Sequence, residues 1–375
     1  MILLIISHTE HYKNAKGDVI GWGPTIREVN YLAQHFDKIY HCAPLLETNQ
    51  VPPSSLLYEY PNIEFVPLVP SGGKGVSAKL NVLWQARKNI KIVSEIIPKV
   101  DYFQFRAPTG MGVYMIPWLF LERTKGWFKY AGNWAQKNPP LGYAIQRWLL
   151  KNQSKYKVTI NGRWAGQPAH CITFENPCLT NLETEEGIAI LNRKDYSGQL
   201  NFCFVGRLES AKGVGRILRA FSQLKDHSKI GVIHLVGDGV ERSKFELIAK
   251  DIPLDIRFHG FVERNKVAEI MKDCHVFLLP STASEGFPKV IAEAANYGCI
   301  PIVSDVSSIG HYIKHLDNGF LVSHKDEEGL EFINVIQDIN FNQNLKEIAL
   351  RAQKISSRFT FEWYLNLIET KILNS

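Results

Sequence analysis

Two glutamates eight residues apart, Glu285 and Glu293, stand on either side of a predicted helix start in Ser284-Glu-Gly-Phe-Pro-Lys-Val-Ile-Ala-Glu293. Val276–Leu279 reads as an apolar strand that ends at Pro280. Pro288 suits a first helical position, where its missing N–H costs nothing, and Gly298 stops the helix after Tyr297. Glu285 is therefore expected in the loop before the helix and Glu293 in its second turn. The open N–H groups at the helix start form an anion site. A carboxylate on each side of it can accept hydrogen bonds from paired hydroxyls, as an acidic residue does for ribose in dinucleotide-binding folds. Two glutamates at this spacing are in themselves an ordinary solvated helix face; the helix start between them supplies the chemistry.

A second group stands at another predicted strand end. Phe204-Val-Gly-Arg-Leu208 is followed by Lys212-Gly213. Gly206 lets the chain turn without a side chain in the way, and Arg207 and Lys212 leave the strand end just ahead of a helix. Two such cations can neutralise a diphosphate, Arg by bidentate contact and Lys as a point charge. Leu235-Val-Gly-Asp-Gly239 ends a third strand with Gly237 but lacks the last glycine of a dinucleotide fingerprint, and Ser71-Gly-Gly-Lys-Gly75 fails the phosphate-loop pattern. Gly21-Trp-Gly23 is either a backbone approach for a ligand or a plain turn.

These residues need elements to hold them. Ile2–Ser7 is a strand, Lys13–Pro24 a polar loop, Thr25–Phe36 a helix and Lys38–Cys42 a strand. Ile63–Leu68, a helix over about 78–97 and a strand at Asp101–Phe105 follow. Residues 111–155 are rich in Trp, Tyr, Phe, Lys and Arg, with two helices expected around Asn138-Pro-Pro140. Periodicity is weak over 155–199, and the domain junction is expected between about 175 and 198. From Leu200 onward short strands alternate with helices as far as Ser304, and a helical tail runs from Leu345 to Leu373 with a break near Ser356–Thr360. Such alternation argues for parallel, doubly wound sheets, which bind ligands at the carboxyl ends of their strands.

A chain of 375 residues has room for two domains. With 45% apolar and 21% charged residues it is neither a disordered nor a repeat protein. The N-terminal apolar run is a strand rather than a signal peptide, and no stretch approaches the roughly 20 apolar residues of a membrane span. Six scattered cysteines without a CxxC pair favour reduced thiols and a cytoplasmic setting. The net charge of +6 is uneven: residues 1–155 hold 18 Lys and Arg against 10 Asp and Glu. That excess is either ordinary solubilising charge or a surface for an anionic partner. No nucleic-acid recognition motif accompanies it; the aromatics of 111–155 either pack the core of the first domain or, with the basic residues, dock on an anionic membrane face, at the inner face of the plasma membrane.

Taken together, Val205-Gly-Arg-Leu208 with Lys212-Gly213, Gly237-Asp-Gly239, the Glu285/Glu293 pair, Gly298 and Asn318-Gly-Phe-Leu-Val322 resemble, in that order, the retaining group-1 (family 4) glycosyltransferases. The resemblance spans about 200–323. It implies a GT-B fold: two Rossmann-like α/β domains facing a cleft, the first over 1–190, the donor-binding one over 191–359, and a terminal helix (about 360–375) crossing back to the first. It implies sugar transfer from a nucleotide diphosphosugar to a saccharide or lipid-linked acceptor in polysaccharide or lipopolysaccharide assembly. Arg207 and Lys212 look like diphosphate clamps, Gly237 like part of the nucleotide loop, Glu293 like the ribose ligand, and Glu285 with the Gly286–Phe287 backbone like the donor-sugar contact. No DxD triplet is present, so no metal or other cofactor is called for. Arg106, in Gln104-Phe-Arg106, stands where many members carry His, and Gly21 and Gly23 stand for the paired glycines of the acceptor loop. The rivals are a Rossmann-type nucleotide-sugar-modifying or NAD(P)-dependent enzyme, against which the missing GxGxxG counts, and a non-catalytic carbohydrate-binding relative.

Overall fold

The computed structural model describes residues 1–374 apart from 49–50, 71–75, 327–328 and 342–343, with backbone alone for 76–83, 340 and 341. The Ser71–Gly75 loop lies outside the described residues. The chain forms two compact units, Met1–Phe174 with Leu365–Ser375, and Glu175–Tyr364.

In the first unit the strands are β1 (Ile2–Ile6), β2 (His11–Lys13), β3 (Val19–Trp22), β4 (Lys38–Pro44), β5 (Ser55–Leu57), β6 (Ile63–Leu68), β7 (Tyr102–Ala107), β8 (Lys125–Tyr130), β9 (Lys157–Ile160) and β10 (Cys171–Thr173). The helices are α1 (Gly23–Ala33), α2 (Val76–Ile96), α3 (Gly112–Leu121) and α4 (Leu141–Lys151). Seven strands make a parallel sheet in the order β10-β9-β8-β7-β1-β4-β6. β1 is buried on both faces, which its unbroken Leu3–Ile6 run requires. The strand order reverses between β1 and β7, the switch point of a doubly wound sheet.

Two local readings are corrected. Lys13–Pro24 is not loop throughout: β2 and β3 pair as an antiparallel hairpin, turned by Gly17 at φ 86° and by Asn14 Oδ1, which accepts from the N–H groups of Lys16 and Asp18. Residues 111–155 hold a strand as well as two helices. β8 takes Trp127, Phe128 and Tyr130 into the core, where Trp134 packs edge-on against Tyr130 at 5.0 Å.

In the second unit α5 (Asn181–Arg193) is followed by β11 (Leu200–Val205), α6 (Val214–Gln223), β12 (Ile230–Val236), α7 (Arg242–Ala249), β13 (Ile256–Gly260) and α8 (Arg264–Asp273). Then come β14 (Val276–Leu279), α9 (Lys289–Asn296), β15 (Ile300–Ser304), α10 (Ile309–Tyr312), β16 (Phe320–Val322), α11 (Leu330–Phe341), α12 (Leu345–Gln353) and α13 (Phe361–Ile368), the last running past the unit boundary. Its parallel sheet runs β13-β12-β11-β14-β15-β16. This is the 3-2-1-4-5-6 order of dinucleotide-binding folds, with the switch point between β11 and β14. The boundary falls at 174/175 rather than near 190 because α5, closed by a Thr180–Glu183 capping box, packs on α9 and α12.

The buried charges of the first unit meet at one carboxylate. Glu28 on α1 accepts from Arg106 Nη2 at 2.9 Å and from Lys129 Nζ at 2.6 and 2.8 Å, and all three side chains are nearly water-free. Removing the anion strands two buried cations. Glu28→Ala should therefore lower the unfolding free energy by about 3–5 kcal/mol, read from the urea midpoint; a loss below about 1 kcal/mol would show that the cations find other partners.

Candidate functional site

Three loops meet at the strand ends that flank the second unit's switch point: Gly206–Gly213 after β11, Gly237–Gly239 after β12, and Pro280–Pro288 after β14. Backbone bonds tie them together. Leu208 N–H donates to Asp238 O at 2.9 Å, and Thr282 N–H and Ser281 Oγ donate to Ala211 O at 2.9 and 3.0 Å. Two glycines permit this approach. Gly213 has φ 88°, and a Cβ there would lie 2.2 Å from Pro280 O; Gly237 has φ 125°, and a Cβ there would lie 1.9 Å from Gly206 O. Gly237 is thus explained by loop packing. Its own N–H is taken by Gly260 O at 2.9 Å.

The loop after β14 holds Glu285, Gly286 and Phe287. Lys212 Nζ, whose side chain is mostly buried, forms an ion pair with Glu285 Oε1. Arg207 leaves the same strand end as Lys212, but its side chain is exposed and pairs with Glu209 at 3.0 Å. The Phe287 ring is buried against Tyr312 and Phe359, each 4.7 Å away by ring centroids, and Gly286 O accepts from Ser308 Oγ. These contacts fix the loop. Yet among the described residues the N–H groups of Gly286 and Phe287 have no acceptor, although both residues are buried. Pro288 is the N-cap of α9 rather than its first residue. N–H groups left open at a helix start are ready partners for an anion or water.

Glu293 lies in the second turn of α9 and is partly buried. Among the described residues it accepts no hydrogen bond; its ion-pair partner is Arg264 Nη2, 3.7 Å away. Arg264, the first residue of α8, is held by Glu183 and by Cys178 O at 2.9 Å. The guanidinium faces the carboxylate but is too far to hydrogen-bond its oxygens, which stay open to hydroxyl donors. No sequence motif marks Arg264; only the packing of α8 beside α9 brings it there. The site can thus receive an anion at the α9 start and a hydroxyl pair at Glu293.

In the first unit the three acceptor-side candidates are accounted for by the fold. Arg106 is committed to Glu28, Gln104 and Thr25 and is buried. A Cβ at Gly21 would lie 2.5 Å from the His11 ring, and one at Gly23 would lie 2.5 Å from Ser54 O. These glycines make room for protein rather than for a ligand. No motif marks the largely buried hydrogen-bond chain found here: Ser7 Oγ to His41 Nε2 at 2.8 Å, His41 Nδ1 to Tyr58 Oη at 2.7 Å, and Tyr58 Oη to His11 Nε2 at 2.8 Å. Burial lowers the pKa of His11 to about 4 and keeps the ring neutral. All six cysteines are buried and free. Among the described residues no cluster of His, Cys, Asp and Glu is arranged to hold a metal ion, and no helix is long and apolar enough to cross a membrane.

Residues 192–350 match the family described as glycosyl transferases group 1. The whole chain has the GT-B fold. It superposes on HepE of Anabaena, solved in complex with UDP, with TM-score 0.67 at 17% identity over 99% of both chains; that protein has also been solved with UDP-glucose. N-acetyl-alpha-D-glucosaminyl L-malate synthase of Bacillus anthracis is 25% identical over 195 residues, 50% of this chain and 49% of that protein. The putative colanic acid biosynthesis glycosyltransferase WcaL of Salmonella typhimurium is 29% identical over 174 residues, 43% of this chain and 41% of that protein. The chain spans about half the length of the curated relatives it matches or less.

The loop packing at Gly237 is open to a direct check. Gly237→Ala must relieve both the positive φ and the approach to Gly206 O, so it should cost about 1–3 kcal/mol of stability. An unchanged thermal midpoint would mean that the two loops can part freely.

Proposed function

We propose that the protein is a glycosyltransferase that moves a sugar from a nucleotide diphosphosugar to a saccharide or lipid-linked acceptor, with retention at the anomeric carbon and without a metal. The observation that carries this is the combination of N–H groups at Gly286 and Phe287 that meet no acceptor among the described residues with an open carboxylate at Glu293. A diphosphate completes the first, and the paired hydroxyls of ribose complete the second. Lys212 stands ready beside Glu285, and Arg207, free to swing from its exposed pairing with Glu209, adds a second cation.

In the reaction the bond between the anomeric carbon and the diphosphate oxygen breaks, a bond to the acceptor oxygen forms, and the acceptor's proton is released. Negative charge builds up on the diphosphate. Fixed N–H dipoles and the Lys212 ammonium hold that charge more tightly as it grows, which lowers the barrier by several kcal/mol in typical cases. Glu285 exchanges its pairing with Lys212 for the sugar's hydroxyls. The UDP bound by HepE and the glycan and sugar-adduct products in the names of the relatives support this reading. So does the basic first half of the chain, which suits an acceptor presented at an anionic membrane face during surface polysaccharide assembly.

A thermal-shift panel of UDP-, GDP- and ADP-sugars on the wild type, Glu293→Ala and Arg264→Ala tests it. A true donor at 100 times its dissociation constant should stabilise the wild type by about 2.7 kcal/mol. The gain should vanish in Glu293→Ala and shrink in Arg264→Ala, and turnover should release free nucleoside diphosphate. If no nucleotide sugar shifts the wild type, or Glu293→Ala responds equally, the donor site is not here.

A further inference from the structure

The basic aromatic stretch that the sequence singles out is divided by the fold. Trp127, Phe128, Tyr130 and Trp134 are withdrawn into the core, and Lys129 is spent on Glu28. Part of what the stretch leaves at the surface is one face of α4. The opposite face is anchored: Gln146 Nε2 donates to Thr109 O at 2.8 Å, Gln146 Oε1 accepts from Thr109 N–H at 3.0 Å, and Leu150 is fully buried.

With that face fixed, Leu141, Ile145 and Trp148 fall at i, i+4 and i+7 on one outward ridge, exposed by 77, 42 and 64%. Such a ridge is costly in water and needs an occupant. Charge says which. Lys137 just ahead of the helix and Lys151 at its end are both exposed, and residues 111–157 hold eight Lys and Arg against a single acid, Glu122.

We propose that α4 docks the protein on an anionic lipid bilayer. The ridge enters the headgroup boundary, where Trp settles, and the flanking lysines meet lipid phosphates. Because α4 is already folded and anchored, binding carries no helix-ordering cost of the kind free amphipathic peptides meet. A second copy of the chain is a poorer occupant, since pairing this face with itself would oppose two basic rims. The binding stands independently of sugar transfer; only the idea that it brings a lipid-linked acceptor within reach rests on the function proposed above.

The test is co-sedimentation with vesicles of phosphatidylcholine alone and with about 30 mol % phosphatidylglycerol, together with the solution mass of the protein. Four chains are compared: the wild type, Ile145→Ser/Trp148→Ala, Lys137→Gln/Lys151→Gln, and the control Trp84→Ala, a change at an exposed tryptophan on α2. The wild type and the control should bind the anionic vesicles, bind the neutral ones poorly, and release at high salt. Each α4 double variant should keep its thermal midpoint and lose about tenfold or more in partition. Absence of wild-type binding, or undiminished binding by both α4 variants, would overturn the proposal. So would a wild-type dimer that Ile145→Ser/Trp148→Ala turns into a monomer, since a second copy would then hold the ridge. A wild type without vesicle binding that still turns over a nucleotide sugar would remove the docking surface and leave the transferase reading intact.

Discussion

The first N–H groups of a helix have no partner within it, and just ahead of α9 those of Gly286 and Phe287 meet no acceptor among the described residues. The loop that carries them is not free to turn and satisfy them internally. Phe287 is wedged between Tyr312 and Phe359, Gly286 O is held by Ser308, and Pro288 opens the helix with no N–H of its own. The core is thus arranged to keep the Gly286 and Phe287 donors available. A bound anion can accept from both. The rest of the site can be understood as support for this arrangement.

That support comes from the order of the strands. Because β11 and β14 are neighbours far apart in sequence, the loops that follow them come together at the carboxyl ends of the strands, at the switch point of the sheet. Gly213 and Gly237 then allow the loops to touch where any side chain would hold them apart. Lys212 is delivered to Glu285 by this geometry, and Arg264 to Glu293 by the packing of α8. In each pair a cation sits beside a carboxylate without using all of its hydrogen-bonding capacity. A ligand bearing both negative charge and hydroxyl groups finds both kinds of partner in place.

The sequence showed the second unit more clearly than the first, for physical reasons. Strands buried on both faces write continuous apolar runs, so β11, β12, β14 and β15 could be read directly, as could the turn that places Glu285 before α9. Arg264 was invisible because its role depends on a helix pair, not on neighbours in sequence. Gly237 was read for its lack of a side chain, but the space it frees is taken by Gly206. In the first unit, the aromatics of 111–155 were weighed by composition alone. Composition cannot separate Trp127, on a buried strand, from Trp148, on a surface helix. Arg106 misled for a related reason: a cation at a strand end looks like a ligand until its partner, 78 residues earlier on α1, is placed beside it. The hairpin β2–β3 escaped notice because its strands are only 3 and 4 residues long.

The central claim is that the α9 start and Glu293 hold the two ends of a nucleoside diphosphate. Amide hydrogen exchange with and without saturating UDP, GDP or ADP, resolved to single residues, tests it most directly. Strong protection is expected at Gly286 and Phe287 with any nucleotide that binds, and weaker protection when the matching 2′,3′-dideoxy compound leaves Glu293 without its hydroxyl partners. A nucleotide that binds while both amides exchange as fast as before would contradict it.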